Sequence, residues 1–179
     1  MDTLKSEKLK VKSERDGERL VTRDILYVCA RIDKRDTIHF FVCHLPSQRG
    51  GKAETEWKRE AAKEVLQKAV DSVFAISEDA KIIVMGDMNS GELKVKGLKD
   101  KWTNDKSGTH KYQGRWTFLD HFYVSPAIDS VSQAEVYDAE WIQEPDEKYL
   151  GLKPKRTYNG FHYQSGYSDH LPIILRCLK

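Results

Sequence analysis

The sequence predicts an α/β (α+β) fold in which a helix covers a β-sheet. Two β-rich runs, residues 24–32 and 37–45, are separated by a short polar turn, which favours an antiparallel hairpin. Apolar residues recur with helical spacing over about residues 54–77, and charged residues fill much of the remaining helix surface, so this helix is predicted to lie on the sheet. Residues 82–85 form an apolar run typical of a strand buried on both faces.

The elements follow from local patterns along the chain. The first 23 residues are highly charged, with a weak alternation at Leu9 and Val11 that fits an edge strand. The apolar stripe of the helix is formed by Trp57, Ala61, Val65, Ala69 and Val73, widened by Leu66, Val70 and Phe74.

Strands and long polar loops alternate in the second half. Residues 91–117 are predicted to form a loop with a short helix near Leu98, and residues 143–167 a second loop rich in aromatic side chains. Further strands are predicted at residues 118–125, within 131–141, and at 171–178.

The composition is that of one folded domain, predicted to cover residues 1–179. Hydrophobic residues make up 39% and aromatic residues 10% of the 179 positions, which excludes a disordered chain. Thirty basic residues against 28 acidic ones leave a net charge of +2, which neither demands nor excludes a nucleic-acid partner.

Cysteine usage and hydropathy exclude several other classes. Cys29, Cys43 and Cys177 lie in apolar runs without C-x-x-C spacing, so they are predicted to be buried thiols and not a disulfide framework or a zinc site. No apolar run approaches the roughly 20 residues of a transmembrane helix, and the N-terminus has no signal-peptide apolar region. A soluble chain is therefore expected, with its cellular location left open.

Polar residues stand at four predicted strand boundaries. His44 ends one strand, and Asp87 and Asn89 follow the buried one. Asp120 enters a third strand, and Asp169–His170 precede the last. Each has an ordinary explanation as a turn residue, a cap or a buried hydrogen-bonding group. Because ligands and catalytic groups collect at strand ends in α/β sheets, we expect these residues to come together.

Such a cluster has the chemistry of phosphate-ester hydrolysis. Carboxylates and an amide oxygen are hard ligands that suit Mg²⁺ or Mn²⁺ and not zinc. A histidine held by a buried carboxylate can act as a general base or stabilise charge. A second histidine and a carboxamide can donate hydrogen bonds to a phosphoryl oxygen, and a metal can activate water.

Four motifs, taken in order, resemble those of the endonuclease/exonuclease/phosphatase superfamily, the DNase I-like proteins. They are Cys43-His44-Leu45-Pro46, Gly86-Asp87-Met88-Asn89-Ser90, Leu119-Asp120-His121-Phe122-Tyr123-Val124-Ser125 and Tyr167-Ser168-Asp169-His170-Leu171-Pro172. The match spans about residues 39–175. The resemblance implies a layered sandwich with a mixed, largely antiparallel sheet flanked by helices, and a divalent-metal-dependent phosphoesterase activity.

The resemblance also implies a catalytic role for each matched residue. His170 would lie next to the scissile phosphate and either activate water or stabilise the phosphoryl charge, with Asp120 holding its imidazole. Asp87 would position or deprotonate the attacking water. Asn89 and His44 would contact phosphate oxygens.

The implied cofactor is Mg²⁺ or Mn²⁺. Asp169 would help to hold the ion, together with Asp87 and Asn89. His121 and His162 match no catalytic position, so they are expected to be bystanders.

One part of the family pattern is missing. Members of the superfamily begin with a segment that supplies a catalytic Asn and the Glu that is the principal metal ligand, and neither motif is found here. The domain is therefore expected to be incomplete in its N-terminal half and poorly active, and to dimerise or exchange elements through the apolar sheet face that this half would cover. The alternatives are an inactive domain that binds a partner through the same cleft, and a fragment that forms structural oligomers.

The resemblance leaves the substrate open among nucleic acid, a phospholipid headgroup and a small phosphate ester. The near-neutral charge does not favour DNA strongly, because phosphate-dominated binding needs a basic track. Aromatic residues between Tyr149 and Tyr167 could stack on a base or sugar, or simply pack the loop. Five lysines could form such a track, but a solvated charged loop is the simpler interpretation. They are Lys94, Lys96, Lys99, Lys101 and Lys106.

Overall fold

The computed structural model describes residues 1–91, 93–102 and 108–177 of the chain. Lys106 of the possible basic track and Leu178 of the last predicted strand therefore lie outside the described residues. In chain order, the first elements are β1 (Asp2–Leu9), β2 (Glu14–Arg15), β3 (Glu18–Arg19), β4 (Ile25–Ile32), β5 (Asp36–His44), α1 (Lys52–Ile76) and β6 (Lys81–Asp87). They are followed by β7 (Lys99–Asp100), β8 (His110–Tyr112), β9 (Arg115–Thr117), β10 (Asp120–Val124), α2 (Pro126–Asp129), β11 (Ser132–Val136), a 3₁₀ turn (Glu140–Ile142), β12 (Gln143–Pro145), β13 (Leu152–Pro154), β14 (Tyr158–Asn159), β15 (His162–Tyr163) and β16 (Ile173–Cys177).

Six strands form one mixed sheet in the order β1-β4-β5-β6-β10-β7. β5 and β6 are parallel and are joined by α1, whereas every other neighbouring pair in this sheet is antiparallel. The two runs that predicted an antiparallel hairpin are β4 and β5. The prediction of an α+β fold with a mixed, largely antiparallel sheet is therefore confirmed.

α1 covers one face of this sheet, as its apolar pattern predicted. Ala62, Leu66 and Val70 are fully buried along the inner face of the helix. The first four residues of the predicted stripe lie partly buried beside them and pack against the same core. Burial of this face, more than helix propensity, holds such a surface helix in place.

A smaller layer packs against the opposite face of the sheet. β11 and β16 form an antiparallel pair, and their residues Ile173 and Leu175 pack with Phe122 of the main sheet. Leu26 and Val42 are cross-strand partners on this face, and they remain 39% and 40% exposed. The second layer therefore covers only part of the sheet.

The polar regions contain more β-structure than predicted. Residues 91–117 contain β7 and the β8–β9 pair, and the segment at Leu98 is a turn in place of the predicted helix, because Gly97 takes a φ of 83°. Cys29 and Cys43 are buried, but Cys177 is exposed, contrary to the prediction, because the end of β16 lies in the small outer layer. No helix in the described part of the chain is both long and apolar enough to cross a membrane.

Candidate active site

The ends of β5, β6 and β10 place three polar side chains in one row. His44 pairs in register with Asp87, and Asp87 pairs with Asp120. Cross-strand partners project from the same face of a sheet. Met85 and Phe122, each two residues inward on the same strands, pack toward the second layer. By the two-residue period of a strand, the polar row therefore lies on that face, opposite α1.

The turn after β6 is fixed by backbone geometry. Gly86 has a φ of 123°, and a β-carbon there would lie 2.1 Å from the carbonyl oxygen of Cys43, so glycine is required where β6 runs against β5. Asp87 Oδ1 accepts a hydrogen bond from the backbone N–H of Asn89 at 2.8 Å. Asn89, with a φ of 48°, donates through Nδ2 to the Leu45 carbonyl oxygen at 2.9 Å. This geometry explains why a Gly-Asp-x-Asn sequence stands at this turn.

His170 reaches the polar row from the loop that precedes β16. Its Nδ1 lies 2.6 Å from Asp120 Oδ2, and the two side chains are only 19% and 16% exposed. The loop is held by hydrogen bonds from His170 N–H to Ser168 Oγ at 3.0 Å and from Leu171 N–H to the Thr109 carbonyl oxygen at 2.7 Å. Because Asp120 occupies Nδ1, Nε2 is the ring nitrogen left for other partners.

The surroundings shift the pKa values of two of these groups. Burial opposes the charged form of His170, but the hydrogen bond and charge of Asp120, with the charges of Asp87 and Asp169, raise its pKa above the usual value. Burial raises the pKa of Asp87, against the hydrogen bond from Asn89 and the charge of His170, which lower it. The imidazolium form of His170 is therefore favoured, and Asp87 is a stronger base than a solvated carboxylate.

One cleft of about 950 Å³ collects the predicted site residues. His44 lies at its edge, 48% exposed, with its Nε2 3.5 Å from Asp87 Oδ2. The predicted residues that line the cleft are His44, Asp87, Asn89, Asp120, Asp169 and His170. They are joined there by residues that the sequence did not single out, among them Arg49, His110 and Tyr112.

Two groups of side chains in the described part of the chain offer sets of metal ligands. Within each group the ligand atoms lie within 4.8 Å of one another; the groups are Asp87–Asp120–His170 and His110–Asp169–His170. Asp169 was predicted to share an ion with Asp87 and Asn89. In the structure, however, Asp169 and Asp87 belong to different groups. His170 is common to both.

His110 is the histidine of the cleft that the sequence did not reveal. It lies in β8, forms an isolated β-bridge with His170, and places its ring centroid 4.8 Å from that of His170. Burial and the positive charges of His170 and Arg156 lower the pKa of His110 to about 4. β8 is short and has no apolar run, so no local signal marks its position.

The two histidines expected to be bystanders do not line the cleft. His121 projects toward the α1 side, is 2% exposed, and places Nδ1 2.9 Å from Asp100 Oδ2. His162 is exposed in β15. Alternation along β10 explains why His121 lies outside the cleft, because His121 follows Asp120 and must point to the other face of the sheet.

The fold and the cleft define a layered α+β protein with carboxylates and histidines gathered at the ends of its central strands. A model of the Endonuclease/Exonuclease/phosphatase family matches residues 1–179, so the chain belongs to this family. A search of curated proteins found no match.

Solved structures share the fold at low sequence identity. Truncated TDP2 from Caenorhabditis elegans is 18% identical with a TM-score of 0.62, over 97% of this chain and 64% of that one. An endonuclease/exonuclease/phosphatase family protein from Leptotrichia buccalis is 14% identical with a TM-score of 0.58, over 98% and 61%. The human Nocturnin catalytic domain with bound sulfate anion is 14% identical with a TM-score of 0.56, over 97% and 58%. The DNase I-like fold is thus confirmed, and the chain spans less than two thirds of each of these structures.

Proposed function

We propose that this chain provides the cleft of a divalent-metal-dependent phosphoesterase, which hydrolyses a phosphodiester or phosphomonoester with an activated water. Members of the family are in general hydrolases of the phosphodiesterase type. The observation that carries the proposal is the 2.6 Å contact between His170 Nδ1 and Asp120 Oδ2 in a cleft that Asp87 also lines.

His170 acts in this proposal as a charged hydrogen-bond donor. Asp120 fixes the tautomer and orientation of the ring, and the raised pKa of His170 favours the imidazolium. Nε2–H then donates to a phosphoryl oxygen whose negative charge grows in the transition state. Of the two roles that the family resemblance leaves open for His170, its contact with Asp120 and the raised pKa favour charge stabilisation over the activation of water.

Asp87 is the base of the proposed reaction. Its raised pKa makes the carboxylate a better acceptor for the proton of the attacking water. One oxygen is held by the backbone N–H of Asn89, so the other is left for water. His44 and the remaining N–H of the Asn89 side chain would donate to the non-bridging phosphate oxygens.

Asp87, Asn89 and Asp169 are the residues that would hold Mg²⁺ or Mn²⁺. Their carboxylate and amide oxygens fit hard cations, and Mg²⁺ usually keeps several waters, so a few protein oxygens are sufficient. The ion supplies Lewis-acid stabilisation of the phosphoryl oxygens when it is bound. Asp87 ends β6, Asn89 lies in the turn that follows, and Asp169 comes from the loop before β16, so the ion would join the two layers.

The lysines and exposed aromatic residues of the second half of the chain favour no single class of phosphate ester. Lys99 and Lys101 each form an ion pair with Asp129 at 2.8 Å, which weakens the case for a basic track in that region. Phe161, between β14 and β15, and Tyr167, three residues before His170, are exposed and could stack on a base or sugar. The candidates remain nucleic acid, a phospholipid headgroup and a small phosphate ester.

Hydrolysis assays with both ester types test the proposal. Bis(p-nitrophenyl) phosphate and p-nitrophenyl phosphate are incubated with the chain and Mg²⁺, Mn²⁺ or a chelator. We expect only weak metal-dependent turnover, because the Glu that is the family's principal metal ligand is not found here. His170→Ala should abolish this turnover, and His162→Ala, in the exposed β15, should leave it unchanged. Turnover that persists in His170→Ala would contradict the assigned role.

A catalytically inactive binding domain is the second candidate, and it is favoured because no match to the family's Glu metal ligand is found among these residues. Thermal unfolding with added Mg²⁺ or Mn²⁺ separates the two, because a retained metal site raises the midpoint. Stabilisation together with turnover supports the enzyme. Neither effect with any of the esters supports the binding domain.

A further inference from the structure

The second ligand group of the cleft combines two imidazoles with one carboxylate. His110 and His170 are held opposite each other by their β-bridge, and the hydrogen bond from Leu171 N–H to the Thr109 carbonyl oxygen, 2.7 Å long, fixes the two backbones. Asp169 precedes His170 directly, and one ligand atom from each of the three side chains lies within 4.8 Å of the other two.

This donor set differs in chemical type from the oxygen set proposed for Mg²⁺ or Mn²⁺. Imidazole nitrogens suit Zn²⁺ and neighbouring transition metals, whereas Mg²⁺ takes oxygen ligands. Tetrahedral zinc at about 2.0–2.1 Å from each ligand needs ligand atoms roughly 3.4 Å apart. Asp169 is exposed, so its carboxylate is free to rotate toward the two rings.

The surroundings of the two rings also suit a metal. Asp120 Oδ2, 2.6 Å from His170 Nδ1, orients that ring and leaves Nε2 for the ion, as in the carboxylate–histidine–metal arrangement. Neither ring nitrogen of His110 has a hydrogen bond to another described residue, so a ligand there would displace no such contact.

We propose that His110, Asp169 and His170 form a transition-metal site, and that Zn²⁺ bound there inhibits the phosphoesterase. The inhibitory part rests on the proposed function. Nε2 of His170 cannot bind Zn²⁺ and donate to a phosphoryl oxygen at the same time. Asp169 is likewise shared with the proposed Mg²⁺ or Mn²⁺ site, so the two metals would compete.

Calorimetric titration of the untagged, chelator-treated chain with Zn²⁺ tests the site without any assay of activity. We expect one zinc per chain, with affinity at least tenfold weaker in His110→Gln and unchanged in His162→Gln, which alters an exposed histidine outside the cleft. Bound Co²⁺ should show the visible absorption of a tetrahedral site in the wild type and lose it in His110→Gln. If His110→Gln unfolds, Asp169→Asn, at an exposed position, serves in its place and should also weaken binding at least tenfold.

Equal zinc affinity in the wild type and in whichever of His110→Gln and Asp169→Asn folds would refute the proposed zinc site. Inhibition is then measured as loss of Mg²⁺-dependent hydrolysis at increasing Zn²⁺, and should be relieved by excess Mg²⁺. Zinc bound through His110 without inhibition would overturn the regulatory part alone. A chain that binds zinc as expected but hydrolyses no ester under any condition would refute the proposed function and, with it, inhibition, while the metal site would stand.

Discussion

Replacing Asp120 with asparagine removes one negative charge from 2.6 Å of the His170 ring and leaves the shape of the side chain nearly unchanged. A hydrogen bond to a charged group contributes about 1.5–3 kcal/mol, against about 0.5–1.5 kcal/mol for a neutral one. Solvent replaces little of the lost charge, because the Asp120 and His170 side chains are only 16% and 19% exposed. Asp120→Asn should therefore cost the imidazolium about 1–2 kcal/mol and lower the pKa of His170.

The pKa of His170 can be followed directly by NMR titration of its ring nitrogens, whether or not the chain is active. The matched control is Asp100→Asn, because Asp100 pairs with His121 at 2.9 Å on the opposite face of the sheet. We expect the His170 titration to move to lower pH in Asp120→Asn and to stay in place in Asp100→Asn. With a working assay, kcat/KM should fall roughly tenfold in Asp120→Asn, since the same stabilisation is lost in the transition state.

Stability should follow the same linkage. Because the folded pKa of His170 lies above its ordinary value of 6.5, its contribution to the free energy of unfolding is complete below pH 6.5 and is lost as pH rises through the folded value. Asp120→Asn should reduce this loss. An unchanged His170 titration in Asp120→Asn would refute the pairing and, with it, the catalytic interpretation of the cleft.

Four other perturbations separate the cleft from the scaffold. His110 has a folded pKa of about 4, below the ordinary 6.5, so its contribution to stability is present above pH 6.5 and is lost as pH falls toward 4. In His110→Gln, the thermal unfolding midpoint should therefore change less with pH between 6.5 and 4. Val84 is fully buried, so Val84→Asp should cost about 3–5 kcal/mol or more and unfold the chain in a denaturant titration. Val42→Asp should leave the fold intact, since Val42 is 40% exposed. It should abolish the self-association expected of the apolar sheet face around Leu26 and Val42, measured by light scattering with chromatography. A wild-type chain that is monomeric would contradict that expectation. Gly86→Ala should cost about 1–3 kcal/mol because its β-carbon would meet a backbone carbonyl at 2.1 Å, whereas Gly160→Ala has open space and should cost less.

Elements with strong local periodicity could be predicted from the sequence. The alternation and length of β4 and β5, the apolar run of β6 and the helical stripe of α1 are all encoded within single segments, and burial of those segments decides their structure. The strand-end positions of His44, Asp87 and Asp120 followed from the same patterns. Neighbouring strands of one sheet end side by side, so local information was enough to expect these residues together.

The tertiary structure alone decided contacts between segments distant in the chain. His110 meets His170 through a single β-bridge 60 positions away, and the segment around His110 has no apolar pattern that could specify the pairing. The exposure of Cys177 depends on which strand β16 joins, and not on its own apolar composition. Local sequence thus determined the strongly periodic elements β4, β5, β6 and α1 and the polar residues at the ends of β5 and β6. Packing of the two layers determined which histidine completes the cleft, because that choice depends on long-range pairing and not on any local period.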